Sequence, residues 1–277
     1  MHKKTLNPVF FLALLFISKS AISYVTFSDG SGGILKWGTS HTPGTPGGTV
    51  TWGFIPAGTS GDTSYCGDAC QGTSSTSIKI ENSPGTGYTS TPLTDLEDTI
   101  TDTFNKWSTV ANINFVGPSG DSALPINDPG ASSPDIRIGV FSFASGGGAV
   151  GFAPPPNGGT GAGDILFDSN SFYAFQPGNE GDSFPDTSTA PNDFVSLLLH
   201  EIGHTLGLGH PTFDGSCPVM QTNSNCLGII NRELDADDIA GAKYIYGSSP
   251  VPLPAAFWLL GSALAGLTGF SSRIRSA

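Results

Sequence analysis

The stretch LLLHEIGHTLGLGHP, residues 197–211, constrains the fold of this 277-residue chain more than any other. Its apolar run reads as a helix, and His200 and His204, four residues apart, project from one face of it a turn apart. Gly207 is suited to end that helix, because glycine adopts the left-handed conformation of a helix C-terminus without steric cost. Gly207 and Gly209 then let the chain turn sharply, which brings His210 back toward the first two histidines. Three neutral imidazoles around one ion leave a fourth position open, the arrangement of a catalytic zinc site rather than a closed structural one. Glu201 faces the same cleft but lies too far round the helix to be the third ligand. A carboxylate there can take a proton from metal-activated water and return it to a leaving amine. The other two histidines, His2 and His41, fall in a terminal segment and a Gly/Pro-rich loop.

The rest of the chain must supply a scaffold for this helix. TVTWGFI (49–55), NINFV (112–116), DIRIGVFSF (135–143), GAVGFA (148–153) and DILFD (164–168) read as strands from their β-branched and aromatic content. Between the first two, Leu93, Leu96, Ile100, Phe104 and Trp107 recur every three or four residues and predict an amphipathic helix. The histidine helix is predicted to start at an N-cap, Asn192 or Asp193, after Pro191. A last helix, 235–246, has Asp235 as its cap and Gly247 as its stop. Strands and helices that do not alternate regularly predict an α+β fold. The 38 glycines and 21 prolines predict long loops, of the kind that are functional or held by something extra such as a bound metal. Residues 28–48 read as an irregular lead-in.

Both ends read as processing segments. Met1-His2-Lys3-Lys4, an apolar run over 9–17 and small residues near Ala21 and Ser23 make a secretory signal peptide of residues 1–23. Residues 251–270 carry no charge over a length sufficient to span a bilayer, and Arg273 and Arg275 follow. The positive-inside rule puts those arginines in the cytoplasm and the body of the protein outside. Between the two ends lie six basic residues and all 23 acidic ones. That balance argues against nucleic-acid binding, which needs basic patches, and leaves carboxylates available for calcium. Four cysteines allow three pairings; in an exported chain the local pairs Cys66/Cys70 and Cys217/Cys226 are favoured. Their spacings do not resemble the C-x2-C pairs of zinc ribbons.

HEIGHTLGLGH matches the H-E-x-x-H-x-x-G-x-x-H motif of the metzincin metallopeptidases, and within them the chain resembles the matrixins, more their compact bacterial members than animal collagenases. The resemblance covers most of 49–247 and implies a matrixin-like catalytic domain there, with a twisted, mostly parallel sheet, an active-site helix and a C-terminal helix. It implies that His200, His204 and His210 bind zinc and that Glu201 is the general base and then acid. CPVMQ stands where a Met-turn is expected, which makes Met220 the methionine beneath the metal. If Cys217 and Cys226 are bonded, they close a loop around it, worth about 2–3 kcal/mol by loop entropy. Substrate is expected to pair with an edge strand near 148–153. PDIRIGVFSF and GAVGFAPPPNGGTGAGDILFDSNSF resemble the metal-carrying segment of matrixins, with departures. Val150 and Leu166 replace the histidines of the structural zinc, and ASGGG shortens the loop before them, so that zinc is expected to be absent. Asp135 and Asp164 match the carboxylates of one calcium site. Asp168 matches part of a second, where Ser171 stands in place of an acid. Thr222 stands where some metzincins have an assisting tyrosine, and no cysteine-switch prodomain is recognisable.

The tail VPLPAAFWLLGSALAGLTGFSSRIR resembles the PEP-CTERM sorting signal of Gram-negative bacteria, so that 248–277 reads as linker and sorting signal. That resemblance implies an exosortase-type processing partner, transient membrane anchoring and delivery to the cell surface or biofilm matrix. The reading that follows is an exported zinc metalloendopeptidase acting on protein or peptide substrates. Its alternatives are a non-catalytic matrix or adhesion protein on a metzincin scaffold, against which the intact Glu201 speaks, and a hydrolase of non-peptide amides.

Overall fold

The computed structural model describes residues 23–83, 85–184 and 192–250. Residues 1–22 of the predicted signal peptide and the predicted membrane segment of the tail lie outside the described residues. Among the described residues, no helix is long and apolar enough to cross a membrane.

The elements in chain order are β1 (Val25–Thr26), β2 (Gly48–Phe54), α1 (Thr63–Cys66), β3 (Gln71–Ser75), β4 (Ser77–Glu81), β5 (Thr89–Pro92), α2 (Glu97–Val110), β6 (Ile113–Val116), β7 (Ile136–Ser142), β8 (Ala149–Gly151), β9 (Ile165–Asp168), β10 (Phe172–Ala174), β11 (Asn192–Asp193), α3 (Phe194–Thr205), β12 (Leu208–Gly209) and α4 (Ala236–Tyr246). The central sheet runs β6-β2-β7-β9-β8, with β3 also on β7. It is parallel from β6 to β9, whereas β8 and β3 pair antiparallel. The α+β class and the mostly parallel sheet expected from the sequence are therefore present, and β8 forms one edge.

β7 explains how the sheet is buried. Its residues alternate between two apolar clusters, as a strand covered on both faces must. Ile136, Ile138 and Val140 face the main core with Trp52, Phe104, Trp107 and the apolar face of α3. Phe141 faces a smaller cluster with Ile55, Phe143, Leu166 and the Cys66–Cys70 disulfide, against which Val150 packs. Arg137 lies on that second side, fully buried, and its guanidinium clamps Asp121 with both Nε (2.6 Å) and NH2 (3.0 Å).

Two features depart from the sequence reading. The predicted amphipathic helix begins as a 3-10 turn over Leu93–Leu96 before α2 takes over. A second sheet, β11-β10-β4-β5, was not predicted. The lead-in is irregular as expected, yet it is packed as core: Ile34, Leu35, Lys36 and Trp37 are all buried. Lys36 is tolerated there because its ammonium donates to the carbonyls of Trp37, Ser40 and Thr45 and lies 4.9 Å from the centroid of the Tyr246 ring.

Candidate active site

The site is built on α3, and both ends of that helix are held from elsewhere. Asp193 is its N-cap and accepts from Ser196 N at 3.0 Å. Its buried carboxylate also pairs with Arg232; burial raises its pKa, but the guanidinium and the hydrogen bonds from Ser196 and Gln176 N together hold Asp193 below the usual carboxylate range. Three aromatic donors satisfy carbonyls of the helix and its end. Trp107 Nε1 donates to Leu199 O, Trp37 Nε1 to Thr205 O, and the Tyr246 hydroxyl to Leu206 O. The last two carbonyls are among those a helix terminus leaves without an internal partner. Gly207 then turns the chain with φ +100°, and β12 carries it along β1 toward His210.

His200, His204 and His210 meet as the sequence predicts: their ligand nitrogens all lie within 4.8 Å of one another. His200 Nδ1 faces Val219 O at 2.7 Å and His204 Nδ1 faces Leu208 O at 2.8 Å. A carbonyl can only accept, so both Nδ1 atoms carry the proton and both Nε2 atoms present a lone pair. Those lone pairs converge with His210 Nε2, at 3.2 Å from His200 Nε2 and 2.9 Å from His204 Nε2. Three imidazole nitrogens brought this close can share one cation. The edge of a zinc tetrahedron with bonds of 2.0–2.1 Å is about 3.3 Å, close to these separations. Burial lowers the pKa of all three, that of His204 to about 3, so each imidazole stays neutral and competent as a ligand. The donor set and its spacing fit zinc.

Glu201 lines the same cavity as the three histidines and is no part of the ligand group. Its carboxylate is buried and accepts from Gly151 N on the edge strand β8 at 2.6 Å. Burial pushes it up to about 7, against the pull of that hydrogen bond, so it is poised to exchange a proton near neutral pH. Gly151 is required for this approach, since a Cβ there would stand 2.3 Å from Glu201 O.

Met220 is buried beneath the histidines, packed against Gly203 of α3. Its turn is fixed by a residue that the sequence reading did not single out. Asp238 of α4 accepts from Val219 N at 2.8 Å and Met220 N at 3.1 Å, and it completes a capping box with Asp235. Since Val219 O in turn orients His200, a chain of contacts runs from α4 to the metal ligands. The spacing Asp235-x-x-Asp238 was the available signal. Both local disulfides form, and Cys217–Cys226 brackets Met220 as expected.

The calcium candidates are engaged in different ways. Asp135 Oδ2 accepts from Thr51 N and Oγ1, both at 2.7 Å. Asp164 is fully buried; its Oδ1 accepts from Arg137 N at 2.9 Å and its Oδ2 has no hydrogen-bond partner. Burial raises its pKa well above the ordinary carboxylate value. Asp168 accepts from Phe143 N, Asn170 N and the Ser171 hydroxyl, so its own chain satisfies it. Among the described residues, the three histidines are the one group of three or more His, Cys, Asp or Glu side chains close enough to share an ion.

A cavity of about 620 Å³ opens beside the histidines. From His200 and Glu201 it extends back along α3 past Leu197 and Ser196 to Asn192. Phe184, Val219, Leu227 and Ile229 form its apolar wall, and Asn231 closes its far end.

Comparison with known proteins agrees with this geometry. The family model described as matrixin, of the peptidase M10 group, matches residues 79–247. Metalloendoproteinase 2-MMP of Arabidopsis thaliana is 30% identical over 169 residues, covering 57% of this chain and 39% of that protein. The hatching enzyme of Paracentrotus lividus is 30% identical over 163 residues, covering 56% of this chain and 23% of the relative. Human neutrophil collagenase is 30% identical over 164 residues, covering 57% of this chain and 30% of the relative. The matching part therefore spans well under half the length of each of these relatives.

Proposed function

Because this chain belongs to the matrixin family, we propose that it is a zinc-dependent metalloendopeptidase that hydrolyses peptide bonds in protein or peptide substrates. The observation that carries this reading is the convergence of three imidazole nitrogens beside a buried carboxylate, at the open end of a cleft. His200, His204 and His210 would hold the zinc ion. When bound, zinc supplies Lewis-acid polarisation of the scissile carbonyl and a water acidic enough to lose a proton near neutral pH. Glu201 accepts that proton and later delivers it to the leaving amine. Gly151 N keeps its carboxylate on the cleft side of β8, and the free edge of β8 gives an extended substrate backbone hydrogen bonds to add to. Val219 and Leu208 carbonyls fix the two imidazole tautomers, and Asp238 holds the turn that carries the first of them.

A structural calcium ion at Asp135 and Asp164 is part of the proposal, because the unpartnered, buried Asp164 Oδ2 is an oxygen that a cation would satisfy. Export, bacterial surface or matrix sorting, processing by an exosortase-type enzyme and transient anchoring rest on the sequence of residues 1–23 and 248–277. Incubating the purified protein with a peptide library, with and without a chelator, tests the central reading. Cleavage abolished by chelation and restored by zinc is expected, and cleavage indifferent to the chelator would refute it.

A further inference from the structure

From the far end of the cavity along α3 we infer that the peptidase selects a residue flanking the scissile bond whose long side chain ends in a hydrogen-bond donor: glutamine, lysine or arginine. The inference rests on the peptidase reading and adds a substrate class to it.

Ser196, His200 and His204 are spaced by four residues and lie on one stripe of α3. Ser196 is therefore one turn, about 5–6 Å, from the first metal ligand, within reach of an extended side chain from a carbonyl at the metal. The near part of the cavity is apolar, with Leu197, Val219 and Ile229, and suits a methylene stem. Its outer wall is a built ribbon: Phe184 N donates to Gly228 O at 2.7 Å, and Ile230 N to Asp182 O at 2.9 Å. The far end is polar. Ser196 Oγ donates to Asp193 Oδ2 at 2.7 Å and accepts from Asn231 N at 2.9 Å. Asn231 Nδ2 donates to Cys217 O at 2.9 Å. The backbone N–H and one Nδ2 hydrogen of Asn231 are thus committed, and among the described residues no donor reaches its Oδ1.

The charge balance has the same sense. Among the described residues, Asp193 and Glu201 are the Asp or Glu side chains lining the cavity, and no Lys or Arg lines it. Arg232 is held behind the wall, where its guanidinium bonds Asp193 and Gln176 O. A side chain that stops short, or ends in a methyl group, leaves the Asn231 oxygen desolvated without a donor, which costs affinity. A carboxylate tip meets acceptors and acidic groups and is rejected. The strongly acidic body of the chain further favours approach of basic peptides.

The test is a peptide library randomised at both positions flanking the scissile bond, read by mass spectrometry with zinc-loaded wild type, Asn231→Leu and Asn231→Asp. Wild type is expected to favour Gln, Lys or Arg over Met or Leu at one flanking position by about tenfold in kcat/KM. Asn231→Leu should bring that ratio to one or invert it. Asn231→Asp, of the same shape, should raise Lys and Arg over Gln. Wild-type preference for apolar or acidic flanking residues, or a ratio unmoved by both variants, would overturn the inference and leave the peptidase reading standing. No chelator-sensitive cleavage of any peptide would overturn the peptidase reading, and this inference with it.

Discussion

Gly203→Ala sets two effects of opposite sign against each other beneath the metal site. Gly203 lies inside α3 between His200 and His204. On helix propensity alone, alanine there should stabilise by about 1 kcal/mol. The packing says otherwise. A Cβ at 203 would stand 2.2 Å from Met220 Sδ, 3.1 Å from Met220 Cε and 3.1 Å from Trp107 Cζ2. Ordinary contacts are about 3.5–4.0 Å, so the sulfur must retreat by well over an ångström. Met220 is 2% exposed and Trp107 0%, and neither has solvent to move into. Overpacking of this kind costs about 1–3 kcal/mol, so the net result is a loss of up to about 2 kcal/mol. At about 2–4 °C per kcal/mol for a domain of this size, Tm should fall by up to about 8 °C. Displacing Met220 also disturbs Val219 O, which orients His200, and zinc affinity should drop by about tenfold. Thermal melts and zinc titrations of wild type, Gly203→Ala, Met220→Ala and the double variant form a double-mutant cycle. With the sulfur gone, alanine at 203 should become neutral or stabilising. A Gly203→Ala protein more stable than wild type, or a penalty that persists unchanged in the Met220→Ala background, would refute the packing argument.

Other consequences are separable. Asp121→Ala leaves the buried Arg137 guanidinium without its counter-charge and should cost about 3–5 kcal/mol in urea denaturation. Trp37→Ala removes a buried ring and the donor to Thr205 O; a loss of about 3–5 kcal/mol is expected, whereas a change near zero would mean that the lead-in is not part of the core. Burial pushes Asp238 up to about 6, against the N–H groups of Val219, Asp235 and Met220, so the folded state binds a proton that the unfolded chain does not between pH about 4 and 6. Stability should therefore fall as pH rises through that window, by about 3 kcal/mol from this group, and Asp238→Asn should flatten the slope of denaturation midpoint against pH.

What the sequence discloses about this molecule is what depends on local spacing. The three histidines and Glu201 follow from i, i+4 geometry and one glycine stop, and the cap Asp235, with Asp193 as one of two candidates beside Asn192, follows from its place before an apolar run. β2, β6, β7 and β9 carry enough β-branched and aromatic residues to be read directly. β4 and β5 do not: Ile78 and Ile80 are their buried apolar side chains, among serines, threonines and a lysine, and β4 gains its second partner, β10, from 93 residues away in the chain. Lys36 reads as a surface residue because the carbonyls that cage it belong to a loop without periodicity. Asp238 reads as a helix-start acid, and its second task, holding Val219 and Met220, arises only when α4 docks against the turn. The polar end of the cavity was hidden for the same reason, since Ser196 and Asn231 meet across 35 residues.

The central claim is that Glu201 works on a zinc ion held by His200, His204 and His210. Its most direct test compares wild type with Glu201→Ala, each assayed for zinc content and for peptide cleavage on the same preparation. The account predicts one zinc per chain in both proteins, chelator-sensitive cleavage by wild type, and loss of cleavage by at least a hundredfold in the variant, the contribution expected of a positioned general base. Equal cleavage by the two proteins with zinc bound would contradict it.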